Sequence, residues 1–481
     1  MPDGGFLLTG VAAQDGGNVT GNHGSGDVWT MRTDSTGFLL WQNSHGGSGG
    51  DGGDDILFDS LKQIIVVGTT YSNNGDVNGN HGGADAWLLQ IDTDGTLINQ
   101  KCFGGSDNDF ALSIQPISDG GFIICGITYS SDNGLSEQHG RGDGWLLKLD
   151  SSFNVVWQHC YGGRQYDALK KVIYTSDGNY LCTGFTYSTD GDVSDHRGDT
   201  TKGDAWIIKV DTSGTLLWQK SFGGSLQDFA DVTIETHDHN YLFAGTTSSS
   251  DSDVTGNHSS GWYSDAWLVK FDSASIIWQK CLGGNSSENG VSLYESAGGD
   301  ITFFGCAASV NNGDVTGGYG SNDYWLVHLD SNRVIQWNKC FGGSQTDQAF
   351  EFLPLRDNVF LLAGWSNSMN GDVTVPIGME DYWLLKVESN TITTAGDFAD
   401  PDSRFFIYPN PATHNFTIDW NGSADVAVVT ISDMTGRKCW SGTVMPDSKI
   451  DLEAMKISEG IYFVKIQAGD VLRTGKIVVT R

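Results

Sequence analysis

Asp143-Gly144-Trp145-Leu146-Leu147-Lys148-Leu149-Asp150, then Ser151-Ser152-Phe153-Asn154, then Val155-Val156-Trp157-Gln158, reads as two short strands joined by a tight turn. Both runs are apolar and aromatic, Asp and Asn bound them, and Gly162-Gly163 closes the unit. Runs of this length between turn formers are strand signals. Upstream stand two more apolar runs, Phe110 to Ile117 and Gly121 to Gly126, and then a polar loop of about 15 residues. The order recurs. Aligning on Asp-x-Trp gives seven copies, at Trp29, Trp87, Trp145, Trp206, Trp267, Trp325 and Trp383, spaced 58, 58, 61, 61, 58 and 58 residues apart. No long window shows helical periodicity. Four short strands per unit of this size predict an all-β chain, a seven-bladed β-propeller over residues 1–388 with one antiparallel blade per unit. A β-solenoid is the competing architecture, but its repeats are shorter.

Counting strand types sharpens the expectation. The second and third types occur seven times, the first and fourth six times. Met1-Pro2-Asp3-Gly4-Gly5-Phe6 already turns into a second strand, so the first blade is incomplete at the N-terminus. An open propeller exposes unpaired backbone groups. Residues lost upstream are the expected explanation, and would also account for the absence of a signal peptide. The alternative is that Thr391 to Thr394 fills the gap.

Composition narrows the function classes. Against 59 Asp and Glu stand only 27 Lys and Arg, a formal charge of −32, which excludes a nucleic-acid backbone binder. No apolar stretch is long enough to span a bilayer as a helix. Sixteen Trp exclude a disordered polyanion. Residues 1–401 hold 18 basic and 50 acidic residues, whereas the last 80 balance nine against nine. That shift marks a boundary, with 389–403 as linker and 404–481 as a second, small β-sandwich domain.

The second domain carries the clearest functional signal. Tyr408-Pro409-Asn410-Pro411-Ala412 is followed by Asp433 with Gly436-Arg437, by Gly460-Ile461-Tyr462-Phe463-Val464-Lys465-Ile466, and by Lys476-Ile477-Val478-Val479. About seven strands fit this length, with Pro409 and Pro411 forcing an extended entry and Gly436 and Gly460 marking turns. In this order the motifs resemble the type A C-terminal sorting domain of the type IX secretion system of Bacteroidota. The resemblance implies that Tyr408 to Ala412, Gly436, Gly460, Tyr462, Lys465 and Lys476 form the sorting signal. It also implies the type IX machinery as partner and a secreted or outer-surface destination. The hairpin Asp211 to Trp218 resembles the tryptophan-docking motif of quinoprotein-type propellers, which implies Trp packed between blades. It stands where sialidase-like propellers carry an Asp box, but its gaps are longer and no arginine cluster accompanies it.

Within the propeller, the loop before the third strand repeats Gly-Asp-Val and a His: His23, His81, His139, His196 and His258. Asp precedes Trp in every copy. Oxygen-rich loops with glycine suit weak extracellular calcium binding, with Asp76, Asp85, Asp192, Asp204, Asp253, Asp265, Asp314 and Asp323 as candidate ligands. The alternative is that these Asp cap turns through backbone N–H groups. Cys102 with Cys125, Cys160 with Cys182, and Cys281 with Cys306 are either disulfide neighbours or ordinary buried thiols. No nucleophile–base motif stands out. The expected function is a non-enzymatic surface module binding an extracellular glycan or protein, with Trp262, Tyr263 and Trp365 as a sugar platform. The alternative is a glycoside hydrolase-like, polysaccharide-active enzyme.

Overall fold

The computed structural model describes the chain apart from residues 2, 60–62, 136, 260–262, 357–358, 374–379, 389–404, 409–413, 421–425, 434–436, 446–447, 453, 456, 469–470 and 480–481. Every element in it is a strand. The 389–403 linker and Thr391 to Thr394 lie outside the described residues. Two compact units emerge, Met1–Thr394 and Ala395–Arg481.

The first unit holds seven successive antiparallel sheets. Five have four strands, and the first and last have three. The third sheet is typical: Asp109–Pro116, Phe122–Thr128, Asp143–Leu149 and Val155–Tyr161, paired in sequence order. The first strand of each sheet neighbours the first strand of the next, which places these strands innermost. Repeated sheets arranged this way are a β-propeller. Among the described residues the first sheet holds no strand of the inner type and the last none of the outer type, in keeping with the strand count.

The repeat sequence explains the packing. Third strands of the four-stranded sheets are buried on both faces because each sheet is covered by its neighbours; Trp87, Trp145, Trp206, Trp267 and Trp325 are all at most 1% exposed. Most indole N–H groups find a fixed partner one strand outward: Trp87 Nε1 donates to Gln100 Oε1 at 2.8 Å and Trp206 Nε1 to Gln219 Oε1 at 3.1 Å. Outer-strand tryptophans reach the next sheet instead. Trp41 Nε1 donates to Thr93 O at 2.8 Å, and Trp157 Nε1 to Thr212 O at 3.0 Å. The docking expected of the Asp211 to Trp218 type of hairpin is thus present between sheets.

The first and last sheets meet through side chains. Val11 N donates to Tyr382 Oη at 3.0 Å, and the Trp29 and Tyr382 rings lie 5.0 Å apart. Gly10 permits this, since a β-carbon there would fall 1.5 Å from Tyr382 Oη.

The second unit is a sandwich. A three-stranded sheet (Phe405–Tyr408, Asn415–Trp420, Ser448–Asp451) and a four-stranded one (Ala427–Asp433, Lys438–Val444, Gly460–Ala468, Val471–Val479) enclose one core. Phe416, Ile418 and Ile450 from one sheet meet Val429, Ile431, Val464 and Ile477 from the other.

Candidate functional site

Each inner strand begins with a buried acid that ties three segments together. Asp167 accepts from Thr186 Oγ1, from Ser188 Oγ at 2.7 Å and from Gly163 N at 2.7 Å. Its own N–H donates to Gly142 O of the preceding sheet at 2.8 Å. Asp51, Asp109, Asp228 and Asp347 repeat this pattern, with Glu288 in the sixth sheet.

The Asp before each Trp has a different role. Asp85 Oδ2 accepts from His81 N at 3.1 Å and pairs with His81 Nδ1 at 2.6 Å; His23, His139 and His258 do the same for Asp27, Asp143 and Asp265. The capping alternative is therefore what the backbone shows. The fourth sheet departs. His196 turns to Lys202 O, and Arg197 takes over, its N–H on Asp204 and its Nε 3.3 Å from Asp253 Oδ2. In the sixth, Tyr319 N donates to Asp323 Oδ2 at 2.6 Å.

Capping satisfies only one oxygen of each carboxylate. The Oδ1 atoms of Asp27, Asp85, Asp143, Asp204, Asp265 and Asp323 are buried without a hydrogen-bond partner. The loop acids do not join the third-strand acids of their own repeat. Asp76 instead receives Gly46 N at 3.3 Å, beside Asp27 and Asp51, so the trio spans two sheets. Asp192, Asp253, Asp314 and Asp372 shift likewise. Among the described residues no group of three or more His, Cys, Asp or Glu side chains forms a ready metal cage.

Burial raises these acids, Asp143 to about 6, Asp323 to about 7 and Asp204 to about 8, and it also raises the inner-strand Asp228 to about 6 despite its hydrogen bonds. The native state then binds more protons than the unfolded chain between about pH 4 and these values, so stability is full near pH 4 and falls as pH rises. Asp177, held down to about 2 by Lys209, opposes this only below about pH 4. We expect a higher melting temperature at pH 5.5 than at pH 8.5 in chelator, with the Asp323 shift alone equivalent to roughly 4 kcal/mol. Equal temperatures would refute the assignment.

The feature that breaks the repeat is aromatic. Phe110, Tyr129, Tyr166, Phe185, Tyr187 and Phe229 form one cluster across the third to fifth sheets. Tyr129 and Tyr166 stack at 6.0 Å and 23°, Tyr166 lies 5.4 Å from Phe185, and Phe185 lies 4.7 Å from Phe229. Phe185 is buried and the other five rings are half-buried. Gly142 and Gly203 give the rings room: a β-carbon at Gly142 would meet Tyr129 at 2.9 Å, and one at Gly203 would meet Tyr187 at 2.9 Å. Lys170 Nζ lies 5.5 Å from the Phe185 ring centroid and pairs with Asp231 Oδ1 at 2.5 Å, while Gln227 Nε2 donates to Tyr187 Oη at 3.1 Å. Positions matching Phe110 and Phe229 hold Gly52, Asn289 and Gln348; those matching Tyr166 hold Gly50, Asn108, Ser287 and Thr346.

The sequence also named Trp262, Tyr263 and Trp365 as a platform. Trp262 is outside the described residues. Tyr263 is half exposed in a loop, and Trp365 is half-buried within Val359–Ser366. Among the described residues no ring contact joins them. All eight cysteines are free thiols, seven of them buried, and burial pushes Cys102 and Cys306 up to about 12.

In the second unit, Asp433 and Arg437 are tied to each other by three hydrogen bonds. Arg437 N donates to Asp433 Oδ1 at 3.1 Å, Arg437 Nε to Oδ2 at 3.0 Å, and Asp433 N to Arg437 O at 3.0 Å. Tyr462 is buried with its hydroxyl on Ser458 O at 3.0 Å, Lys465 is exposed, and Gly460 has φ +150°. Tyr408 ends a strand and Lys476 pairs with Phe463 in register. Pro409 to Ala412 and Gly436 lie outside the described residues.

Residues 406–480 match the family described as secretion system C-terminal sorting domain. The C-terminal unit thus matches a secretion sorting domain, which implies export to the cell surface or the extracellular space, and the unit before it is a β-propeller repeat. Over 191 residues the chain is 25% identical to the regulatory protein FlaEY of Caulobacter vibrioides, covering 36% of this chain and 20% of that one. It therefore spans about a fifth of that relative's length. Among solved structures, the WD40 domain of Neurospora crassa Pan2 aligns at 12% identity and TM-score 0.38, over 65% of this chain and 74% of that one. A polysaccharide lyase of family PL25, an ulvan lyase, aligns at 12% identity and TM-score 0.44, over 75% and 87%. Among the described residues no helix is long and apolar enough to cross a membrane.

Proposed function

We propose that this is a seven-bladed propeller acting outside the cell as a non-enzymatic binding module, with the Tyr129–Tyr166–Tyr187 face as its ligand platform and an extracellular glycan as ligand. One observation carries the reading. Six rings gather in three consecutive sheets, five of them at positions where most other repeats place small or polar residues. A function needs such asymmetry, because seven equal junctions would offer seven equal sites. Flat apolar rings edged by hydroxyls, an amide and an ammonium suit a pyranose, which has an apolar C–H face and a polar rim. Asp231, an acid beside these rings, is held in an ion pair with Lys170.

Tyr166→Ala in the full chain is expected to weaken binding to a responsive polysaccharide by about tenfold or more. Affinity would be read by glycan array and then by titration of the responding glycan. Retained binding in Tyr166→Ala would overturn the platform, and release of cleaved product by the wild-type protein would support the enzyme reading instead.

A further inference from the structure

At the junction between the sixth and seventh sheets, three acids converge with less compensation than at the others described. Asp323 is 1% exposed and Asp347 is fully buried. Asp323 Oδ1 has no hydrogen-bond partner, although Oδ2 takes Tyr319 N. Asp347 Oδ2 accepts Gly343 N at 2.7 Å and Ser368 Oγ at 2.9 Å. Both oxygens point into one cradle. The place where Gly342 would carry a β-carbon lies 2.0 Å from Asp323 Oδ1 and 2.5 Å from Asp347 Oδ2. Asp372 Oδ2 stands beside them, receiving Gly342 N at 3.3 Å.

Other junctions have a counter-charge here. His258 reaches Asp314 at 3.6 Å as well as Asp265, and Arg197 reaches Asp253 at 3.3 Å. Tyr319 replaces that basic residue, and Lys339, whose field reaches Asp372, forms no ion pair with it among the described residues. Two buried carboxylates facing each other without a counter-ion are strongly unfavourable.

We propose that the Asp323–Asp347–Asp372 junction binds one hard divalent cation, calcium being the probe of choice. Asp323 Oδ1 and Asp347 Oδ2 would be the direct ligands, with water completing the shell and Asp372 adding charge. Two carboxylates plus water is an arrangement hard cations accept, and it needs no ready cage of three. The loop acid and the third-strand acid of a single repeat are not the ligand pair; the site belongs to two successive sheets.

The test is calcium titration of the full chain at pH 7.5, followed by calorimetric stoichiometry and by melting against chelator. An extracellular site of about 10⁻⁴ to 10⁻³ M is expected to bind one calcium and raise the melting temperature by about 2 °C or more at ~10 mM. Asp323→Asn should abolish that response while raising the cation-free melting temperature, because the amide can donate to Asp347. Asp372→Asn should weaken it, and Asp265→Asn, at a histidine-bearing junction, should leave it intact. No calcium-dependent shift, a response surviving Asp323→Asn, or equal loss in Asp265→Asn would overturn the proposal.

Discussion

Replacing Gly126 by alanine is expected to remove about 3–5 kcal/mol of stability or to prevent folding altogether. The reason is steric and does not depend on an unusual φ. Gly126 lies on the second strand of the third sheet, opposite a bulge in the inner strand between Ala111 and Ser113. The bulge turns the Phe110 carbonyl towards the second strand, so a β-carbon on Gly126 would fall 1.7 Å from Phe110 O. Backbone cannot swing aside as a side-chain tip can. Gly68, Gly184, Gly245, Gly305 and Gly364 stand in the same relation to the next inner strand carbonyl, at 1.8–2.0 Å. Gly50, where nothing lies within 4 Å of an added β-carbon, is the control, and its alanine variant should stay within about 0.5 kcal/mol of wild type. Denaturant unfolding of both variants checks this; a Gly126→Ala loss below about 1 kcal/mol would contradict the bulge account.

The second large effect concerns destination. Removing residues 405–481 is expected to leave the propeller folded and to abolish its export. The tail has its own core around Val429, Ile431 and Val464, and none of its described strands joins a propeller sheet. Tail and propeller also differ in charge, since the acidic excess lies before residue 402. The melting temperature of the shortened chain should match that of the propeller transition in the full chain, while its passage to the outside is lost.

The sequence made the repeat, the strand order and the tail legible, because each rests on local chemistry. Alternating apolar runs set the strands, Asp and Gly set the turns, and the strand count foretold two three-stranded sheets. Asp433 and Arg437 likewise stand as a hydrogen-bonded pair, and Gly460 to Ile466 as a core strand. What sequence could not supply was the partnering across sheets. Asp76 follows Gly75 in its own repeat, yet it folds back onto Gly46 of the previous connection, so acids nine residues apart serve different junctions. The aromatic cluster escaped notice for a related reason. Its members, Phe110, Tyr129, Tyr166, Phe185, Tyr187 and Phe229, are scattered over 120 residues, and only position-by-position alignment of the repeats sets them against Gly52, Ser248 and Thr346. Single tryptophans such as Trp262 and Trp365 are conspicuous in sequence, whereas three tyrosines brought together by inner-strand neighbours are conspicuous only in space.

Cell fractionation decides the central claim. The chromosomal gene would be shortened by its codons for residues 405–481 in the native host, and the propeller quantified in the medium, on the intact cell surface and in the periplasm. The full chain is expected outside or on the surface, and the shortened chain inside the periplasm, folded. Equal amounts of the shortened and full chains outside the cell would contradict it.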